Sequence, residues 1–531
     1  MCGILGDIGP GFDGTQFRQA LQGLHHRGPY GEGYIDLPAG ALGMTRLPMS
    51  GATSLPIPVR FRENFAAYNG EVYSPNAEII DEVRLLYEGI EKGELPDGMF
   101  ALALWQPHSA SLILQRDSYG IKPLYYFYQA DRGRLIFSSE LMPLLTLLGN
   151  RTPNIAAIAQ IVATGVTLEG ESLFSGIRLV APGEQLRFRL GDGKALLVQR
   201  QHFPPQTEPT STSIEETLGE AINRCKATFR PTALLLSGGM DSTLLNTWVE
   251  PDMAKFTLAL ENAEETVCSK SNLHWISLEQ TAFMSVLRKA VKNFGAATRM
   301  SSLLMYQQLA DAVGDAGYHC VLLGEGADEL FWGYPRYLDL QPSTGHDAVS
   351  FARIWFGDYQ NKAKLLSSQV ASELNEQIEA LASSALRKGY EAAIDYFDLH
   401  YSLEPLLRRA DHLLMSRAIE ARTPYLHAGL GMLASRSTRL AEGITKIPLC
   451  NLLQQRLPNW QWKPKQHFRL PFSYWPKAVQ EMRHHLLENC ETLRDLGLVN
   501  LAPAYIEAMD NAQLFTLTTL SLWQQEYEVN L

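Results

Sequence analysis

The sequence has few cysteines, and none of the six stands in a Cys-x-x-Cys pair: Cys2, Cys225, Cys268, Cys320, Cys450 and Cys490 are scattered along 531 residues. That spacing suits neither a zinc site nor a disulfide framework, and it fits a reducing compartment. Long apolar runs are missing too, since none reaches the roughly 18 uncharged residues of a spanning helix. The opening residues lack the basic start and apolar stretch of a signal peptide, so a cytoplasmic protein without membrane contact is expected. Positive charge is not in excess either. A net charge of −11 disfavours general affinity for nucleic acid, while a local basic pocket for a small anion stays open.

What is present is an ordinary globular composition, 46% hydrophobic and 19% charged. The length exceeds one ordinary core, so two domains are expected. The first ~200 residues alternate short apolar runs with Gly and Pro, a β-rich pattern. Examples are Ala66-Ala67-Tyr68, Phe100-Ala101-Leu102-Ala103-Leu104-Trp105 and Ser111-Leu112-Ile113-Leu114. Helices are predicted there only at residues 16–25 and around 79–92. A Pro-, Thr- and Ser-rich stretch follows and reads as a linker at 204–213. Beyond it a helix is predicted at 214–228, with strands at 232–236, 255–260 and 320–323. Strands alternating with helices predict a parallel sheet, and residues past 343 read as mostly helical. The expected domains are 2–203 and 214–531. The histidine pairs His25-His26 and His484-His485 point in different directions on a helix and read as surface or packing residues.

Cys2 gains chemistry if Met1 is removed. It then carries a thiol and an α-amine of pKa about 8, which takes the thiol proton as in other N-terminal nucleophiles. Hydrolysing an amide needs an oxyanion hole, and Asn69-Gly70-Glu71 offers a side-chain amide beside a backbone N–H. Arg46 is expected to hold the α-carboxylate of glutamine, with Asp97 and Glu71 receiving its ammonium.

These pieces resemble the class II glutamine amidotransferase domain, of the N-terminal-nucleophile fold. The matching segments run in the family's order: Met1-Cys2-Gly3-Ile4, His26-Arg27-Gly28-Pro29, Asn69-Gly70-Glu71-Val72-Tyr73, Asp97-Gly98-Met99-Phe100-Ala101 and Arg116-Asp117-Ser118-Tyr119-Gly120-Ile121-Lys122-Pro123-Leu124-Tyr125-Tyr126. Tyr30 departs from the family's Asp, and the segment between Asn69 and Asp97 is short.

In the second half, Ser237-Gly238-Gly239-Met240-Asp241-Ser242 follows a predicted strand and opens a helix. Two glycines let a backbone wrap a phosphate at a helix start. The Gly-Lys-Ser/Thr ending of a Walker loop is absent, so γ-phosphate transfer is not the natural reading. The turn is similar to the pyrophosphate loop of ATP pyrophosphatases. A second cluster, Gly324-Glu325-Gly326-Ala327-Asp328-Glu329, follows the strand at 320–323. Both turns are expected at the carboxyl edge of the sheet, with Asp241 and Asp328 meeting around Mg²⁺.

This half resembles the synthetase domain of glutamine-dependent asparagine synthetase. Glu420-Ala421-Arg422-Thr423-Pro424-Tyr425-Leu426 and Lys463-Pro464-Lys465-Gln466-His467-Phe468 match further family motifs. The resemblance implies an αββα glutaminase domain followed by a parallel-sheet α/β domain of ATP-pyrophosphatase type, adenine nucleotide α-hydrolase-like, with a helical C-terminal part. It implies ATP contacts at Leu236, Ser237, Gly238, Gly239, Asp241, Ser242, Leu258, Leu323 and Gly324. It gives Glu325 a part in acyl-adenylate formation and proton transfer, and has Lys465 steady the departing pyrophosphate. The acceptor, aspartate on the leading reading, is expected near Thr298 and Arg299, where Thr298-Arg299-Met300-Ser301-Ser302 matches the family's segment with altered spacing. A passage for ammonia and a homodimer are further family expectations.

His427 replaces the family's Asp after Pro-Tyr-Leu, Leu323 replaces a Ser, and the segment 260–274 is short. Such changes leave open a relative that amidates another carboxylate, in specialised metabolite or surface-sugar synthesis. An intramolecular amide-forming cyclase fits less well, because Cys2, Asn69 and Asp97 are intact. A non-catalytic binding protein would not need Cys2, Asp241, Glu325, Asp328 and Lys465 together.

Overall fold

Short alternating segments fold as strands throughout the first half. The computed structural model describes residues 2–50, 55–73, 79–203, 211–259, 272–277, 282–338, 340, 347–427, 429–441, 443–462, 470 and 472–529. In chain order the strands are β1 (Cys2–Ile8), β2 (Glu32–Leu37), β3 (Gly40–Arg46), β4 (Val59–Phe61), β5 (Asn64–Val72), β6 (Gly98–Gln106), β7 (Ser111–Arg116), β8 (Tyr125–Gln129), β9 (Arg134–Ser138), β10 (Ile177–Leu179), β11 (Glu184–Gly191) and β12 (Lys194–His202). They form two sheets, ordered β10-β8-β9-β1-β3-β2 and β12-β11-β7-β6-β5-β4, with antiparallel pairing throughout.

Successive side chains of a strand take opposite faces. Cys2, Ile4 and Ile8 of β1 therefore enter the core between the sheets with Met44, Ala66 and Leu102. Leu5 faces the other way, onto Phe17 and Leu21 of the helix Gly14–Gln22. The helix Ile79–Lys92 covers the second sheet through Val83 and Leu86. The layers run helix, sheet, sheet, helix, the αββα arrangement.

Two helices here differ from the sequence-based expectation, Leu141–Leu148 and Ile155–Thr164. The second buries eight of its ten side chains, so it has no polar face to set an amphipathic period. It lies against the helices Tyr359–Lys362, Ser368–Leu386 and Asn511–Glu526 of the second half.

Residues 204–210 of the expected linker lie outside the described residues. The helix Ile214–Lys226 starts at Ser213, whose side chain accepts from the Glu216 N–H. A five-stranded parallel sheet follows: β13 (Thr232–Leu235), β14 (Ala254–Ala259), β15 (Leu273–Ser277), β16 (Cys320–Leu322) and β17 (Glu420–Arg422), in the order β15-β14-β13-β16-β17. β13 and β16 are neighbours, so the glycine turn and the acidic cluster leave the same edge side by side. The rest is largely helical, as expected, and the whole is a two-domain α/β protein. Among the described residues, no helix is long and apolar enough to cross a membrane.

Candidate active sites

Pairing of β1 with β3 sets Cys2 opposite Arg46. Asn69 on β5 reaches Cys2 from the other sheet, its Oδ1 accepting the Cys2 N–H at 3.1 Å. That nitrogen is a peptide nitrogen behind Met1, and stands in for the α-amine of a processed chain. An N–H only donates, so the contact fixes which way the amide faces. Asn69 Nδ2 is then buried with no hydrogen-bond partner among the described residues. Such a donor is costly unless a ligand oxygen arrives to use it. At Gly70, φ is +131° and a Cβ would meet Met99 O at 1.9 Å, so only glycine lets β5 lie this close to β6.

Burial pushes the Cys2 thiol up, against the positive chain terminus and Arg46, which pull it down. A thiol held this way needs a base beside it to become a nucleophile. Arg27 fastens the same strand to the second domain. It donates to Cys2 O at 3.4 Å, Glu140 at 2.9 Å and Asp411 at 2.7 Å.

Of the two carboxylates expected around glutamine's ammonium, Glu71 is already paired with a cation. Its side chain binds Arg422 of β17, which also donates to Glu420 at 2.6 Å and Cys225 O at 2.8 Å. Burial pushes the Glu71 and Glu82 carboxyls up. Burial is the largest influence on Glu420 as well, but Arg422, the chain terminus and Lys122 together hold that carboxyl down. Asp97 keeps 20% of its side chain exposed and lies 3.0 Å from Nε2 of His427.

The sheet edge where nucleotide contacts are expected gathers most of those residues. Leu236, Ser237, Asp241, Ser242, Leu258, Leu323, Gly324, Glu325 and Asp328 line one cleft at the sheet edge, together with Phe256 and Tyr306. Gly238 and Gly239 form its turn, which two serines brace. Ser242 Oγ accepts the Ser237 N–H at 3.1 Å and meets Ser237 Oγ at 3.0 Å, and Ser237 Oγ accepts the Gly239 N–H at 3.3 Å.

Asp241 and Asp328 converge as expected, and the cation between them is Lys446. Its Nζ lies 2.6 and 2.7 Å from the two Asp241 oxygens and 2.5 Å from Asp328 Oδ1. The sequence carries no motif that marks this lysine. Two carboxylates aimed at one point suit a hard divalent ion. Among the described residues no third acidic, His or Cys ligand joins them, so a metal here would complete its shell with water and nucleotide oxygens.

Glu325 is held by two donors, Tyr306 OH at 2.5 Å and Arg409 at 2.6 Å, and the Arg409 guanidinium lies 3.9 Å above the Tyr306 ring. Neither partner has a local sequence signal, because they sit on the distant helices Ser302–Asp315 and Glu404–Met415. The expected acceptor residues lie elsewhere. Thr298 exchanges hydrogen bonds with Thr519, both 3.0 Å. Arg299 donates to Trp355 O at 3.0 Å and runs past Gly165. Neither lines the cleft, because the altered spacing leaves Ser302, bonded to Arg409, as the residue of this segment that turns toward Glu325. Lys465 lies outside the described residues, as does most of the short segment 260–274.

A family model described as asparagine synthase matches residues 213–525, well over half of the chain. The chain belongs to the asparagine synthase family. A glutamine amidotransferase domain model matches residues 85–197. Glutamine-hydrolyzing asparagine synthetase 1 of Bacillus subtilis (strain 168) is 24% identical over 590 aligned positions, covering 95% of this chain and 93% of that protein. Asparagine synthetase 3 of the same strain is 24% identical over 562 positions, covering 87% of each. Amidase chyE of Penicillium rubens is 25% identical over 388 positions, covering 62% of this chain and 57% of that protein. Membership makes the chain an amidotransferase-ligase of this family.

Proposed function

We propose that the chain is a glutamine-hydrolysing amide ligase that activates a carboxylate with ATP, aspartate being the leading acceptor. The observation that carries this reading is the buried Nδ2 of Asn69, without a partner among the described residues, one residue from Gly70 and bonded through Oδ1 to Cys2 N. In the proposed first reaction the α-amine of a processed Cys2 takes the thiol proton, and sulfur attacks the side-chain amide of glutamine. Asn69 Nδ2 and the Gly70 N–H receive the oxyanion. Ammonia leaves with the proton, and water hydrolyses the thioester to glutamate. Arg46 and Asp97 hold the glutamine ends.

In the second reaction the acceptor carboxylate attacks the α-phosphorus of ATP in the cleft beside Ser237 and Gly324. Pyrophosphate leaves, with Lys465 assigned to steady it. Ammonia then attacks the acyl-adenylate and AMP departs, Glu325 moving the proton. Asp241 and Asp328 would hold Mg²⁺, which neutralises phosphate charge when bound.

A second reading, another carboxylate as acceptor, is favoured by the placement of Thr298 and Arg299 away from the cleft and by Leu323 lining it. The test is a panel of acids with glutamine, ATP and Mg²⁺, scored by AMP and pyrophosphate. Turnover with aspartate supports the first reading, and turnover with another acid alone supports the second. A Cys2→Ala variant is expected to lose glutamine use while added ammonia restores product. Glutamine-dependent product from that variant would remove Cys2 as nucleophile.

A further inference from the structure

The motif segment after β17 crosses the seam between the two sites. Its turn Pro424–Leu426 is closed by Leu426 N to Thr423 O at 3.0 Å and His427 N to Pro424 O at 3.3 Å. Each residue from Tyr425 to His427 touches a different loop. The buried Tyr425 hydroxyl donates to Asp241 O at 3.0 Å, at the end of the glycine turn. Leu426 packs on Gly326, the residue after Glu325, where φ is +92° and a Cβ would lie 2.4 Å from the leucine. His427 leaves the synthetase side and meets Asp97 at 3.0 Å, its ring stacked on Tyr73 at 5.5 Å with 3° between the planes.

His427 Nε2 has a second neighbour, the Arg224 guanidinium at 3.2 Å. Arg224 is itself anchored to Tyr73 O at 3.0 Å and to Glu220, and lies 3.9 Å from Asp97. A neutral imidazole nitrogen either donates to Asp97 or accepts from Arg224, never both. Here Nε2 accepts from Arg224 and faces Asp97 at an ion-pair distance; the same nitrogen, protonated, would donate to Asp97 instead. The contact also depends on the histidine, because an Asp here would set like charge against Asp97.

We propose that His427 is a positioning residue through which the turn Pro424–Leu426 couples the nucleotide loops to the glutamine subsite at Asp97. With Nε2 accepting from Arg224, His427 holds the Asp97 carboxylate in place for the ammonium of glutamine. Movement of the glycine turn or the Glu325 loop on nucleotide binding reaches Asp97 through Tyr425, Leu426 and His427. The inference rests on the proposed glutaminase reading.

Glutamate release is measured against glutamine concentration for the full chain, with and without Mg²⁺-ATP. His427→Ala is expected to raise KM for glutamine roughly five- to tenfold, with kcat within about twofold. ATP is expected to shift the wild-type KM and to leave that of His427→Ala unmoved. His427→Gln keeps a donor near the place of Nε2 and is expected to recover the wild-type KM. An unchanged KM in His427→Ala overturns the proposal, as does an ATP response that survives in it. A fall in kcat alone that Gln does not rescue marks a merely structural residue and also overturns it. Absence of glutamate release from the wild type would instead bring down the parent reading.

Discussion

Lys446 and Asp241 meet through both carboxylate oxygens, at 2.6 and 2.7 Å, in the place where the sequence motifs predict a divalent cation. With Asp328 also on the ammonium, one lysine neutralises a carboxylate pair in a nearly closed site. Lys446→Met leaves those carboxylates facing each other, a loss of about 3–5 kcal/mol typical of a broken buried pair. Millimolar Mg²⁺ is expected to raise the thermal midpoint of this variant more than that of the wild type. Equal responses would mean that the carboxylate pair is not available to a metal.

Asn69→Ala removes both the donor aimed at the oxyanion and the acceptor on Cys2 N. The rate of glutamine hydrolysis is expected to fall by about 10²–10³, the usual cost of losing one oxyanion donor. Stopped-assay measurement of glutamate gives the number, and a fall of less than about tenfold would assign the oxyanion elsewhere.

Arg422→Met strips the shared cation from Glu71 and Glu420, both buried. Loss of about 3–5 kcal/mol is expected, read as a lowered denaturation midpoint. The double variant Arg422→Met with Glu71→Gln is expected to regain part of it, because one of the stranded carboxylates is gone.

Acid sensitivity is expected from His412. Burial pushes its pKa down to about 4, although Glu140 and Asp411 pull the other way, and Nε2 faces Tyr125 OH at 3.1 Å. An unfolded histidine titrates near 6.5, so below that pH the unfolded chain binds a proton that the folded one refuses. Stability therefore falls as pH drops from about 6.5 to about 4, by roughly 3 kcal/mol at full extent. Above 6.5 the group has no effect. His412→Gln is expected to flatten this part of the curve of thermal midpoint against pH; an unchanged slope would assign the sensitivity to other groups.

Much of both sites was legible in the sequence because their loops are local. Ser237 to Ser242 and Gly324 to Asp328 each lie within one turn, and a parallel sheet sends both to one edge. The strand segments around Ala66, Phe100 and Ser111 were legible for the same reason, each being a contiguous apolar run. Contacts that join distant chain positions were not legible. Tyr306 and Arg409 reach Glu325 only after three elements pack, and Lys446 reaches Asp241 from 205 positions away. The helix Ile155–Thr164 escaped because nearly uniform burial removes the polar face by which periodicity is recognised, and Leu141–Leu148 because its exposed side shows Met142 and Thr146 rather than charge. Glu71, expected at the ammonium of glutamine, lies on the Asn69 face of β5, but its pairing with Arg422 comes from 351 positions away and could not be read from the sequence.

The helix Ile155–Thr164 belongs by sequence to the amidotransferase half, yet is enclosed by helices from the other. Expressed alone, the first 203 residues would present that greasy cylinder to water, inviting self-association. The first half is thus not a detachable module, and a chain released by stepwise synthesis must shelter this surface until the helix Asn511–Glu526 has emerged.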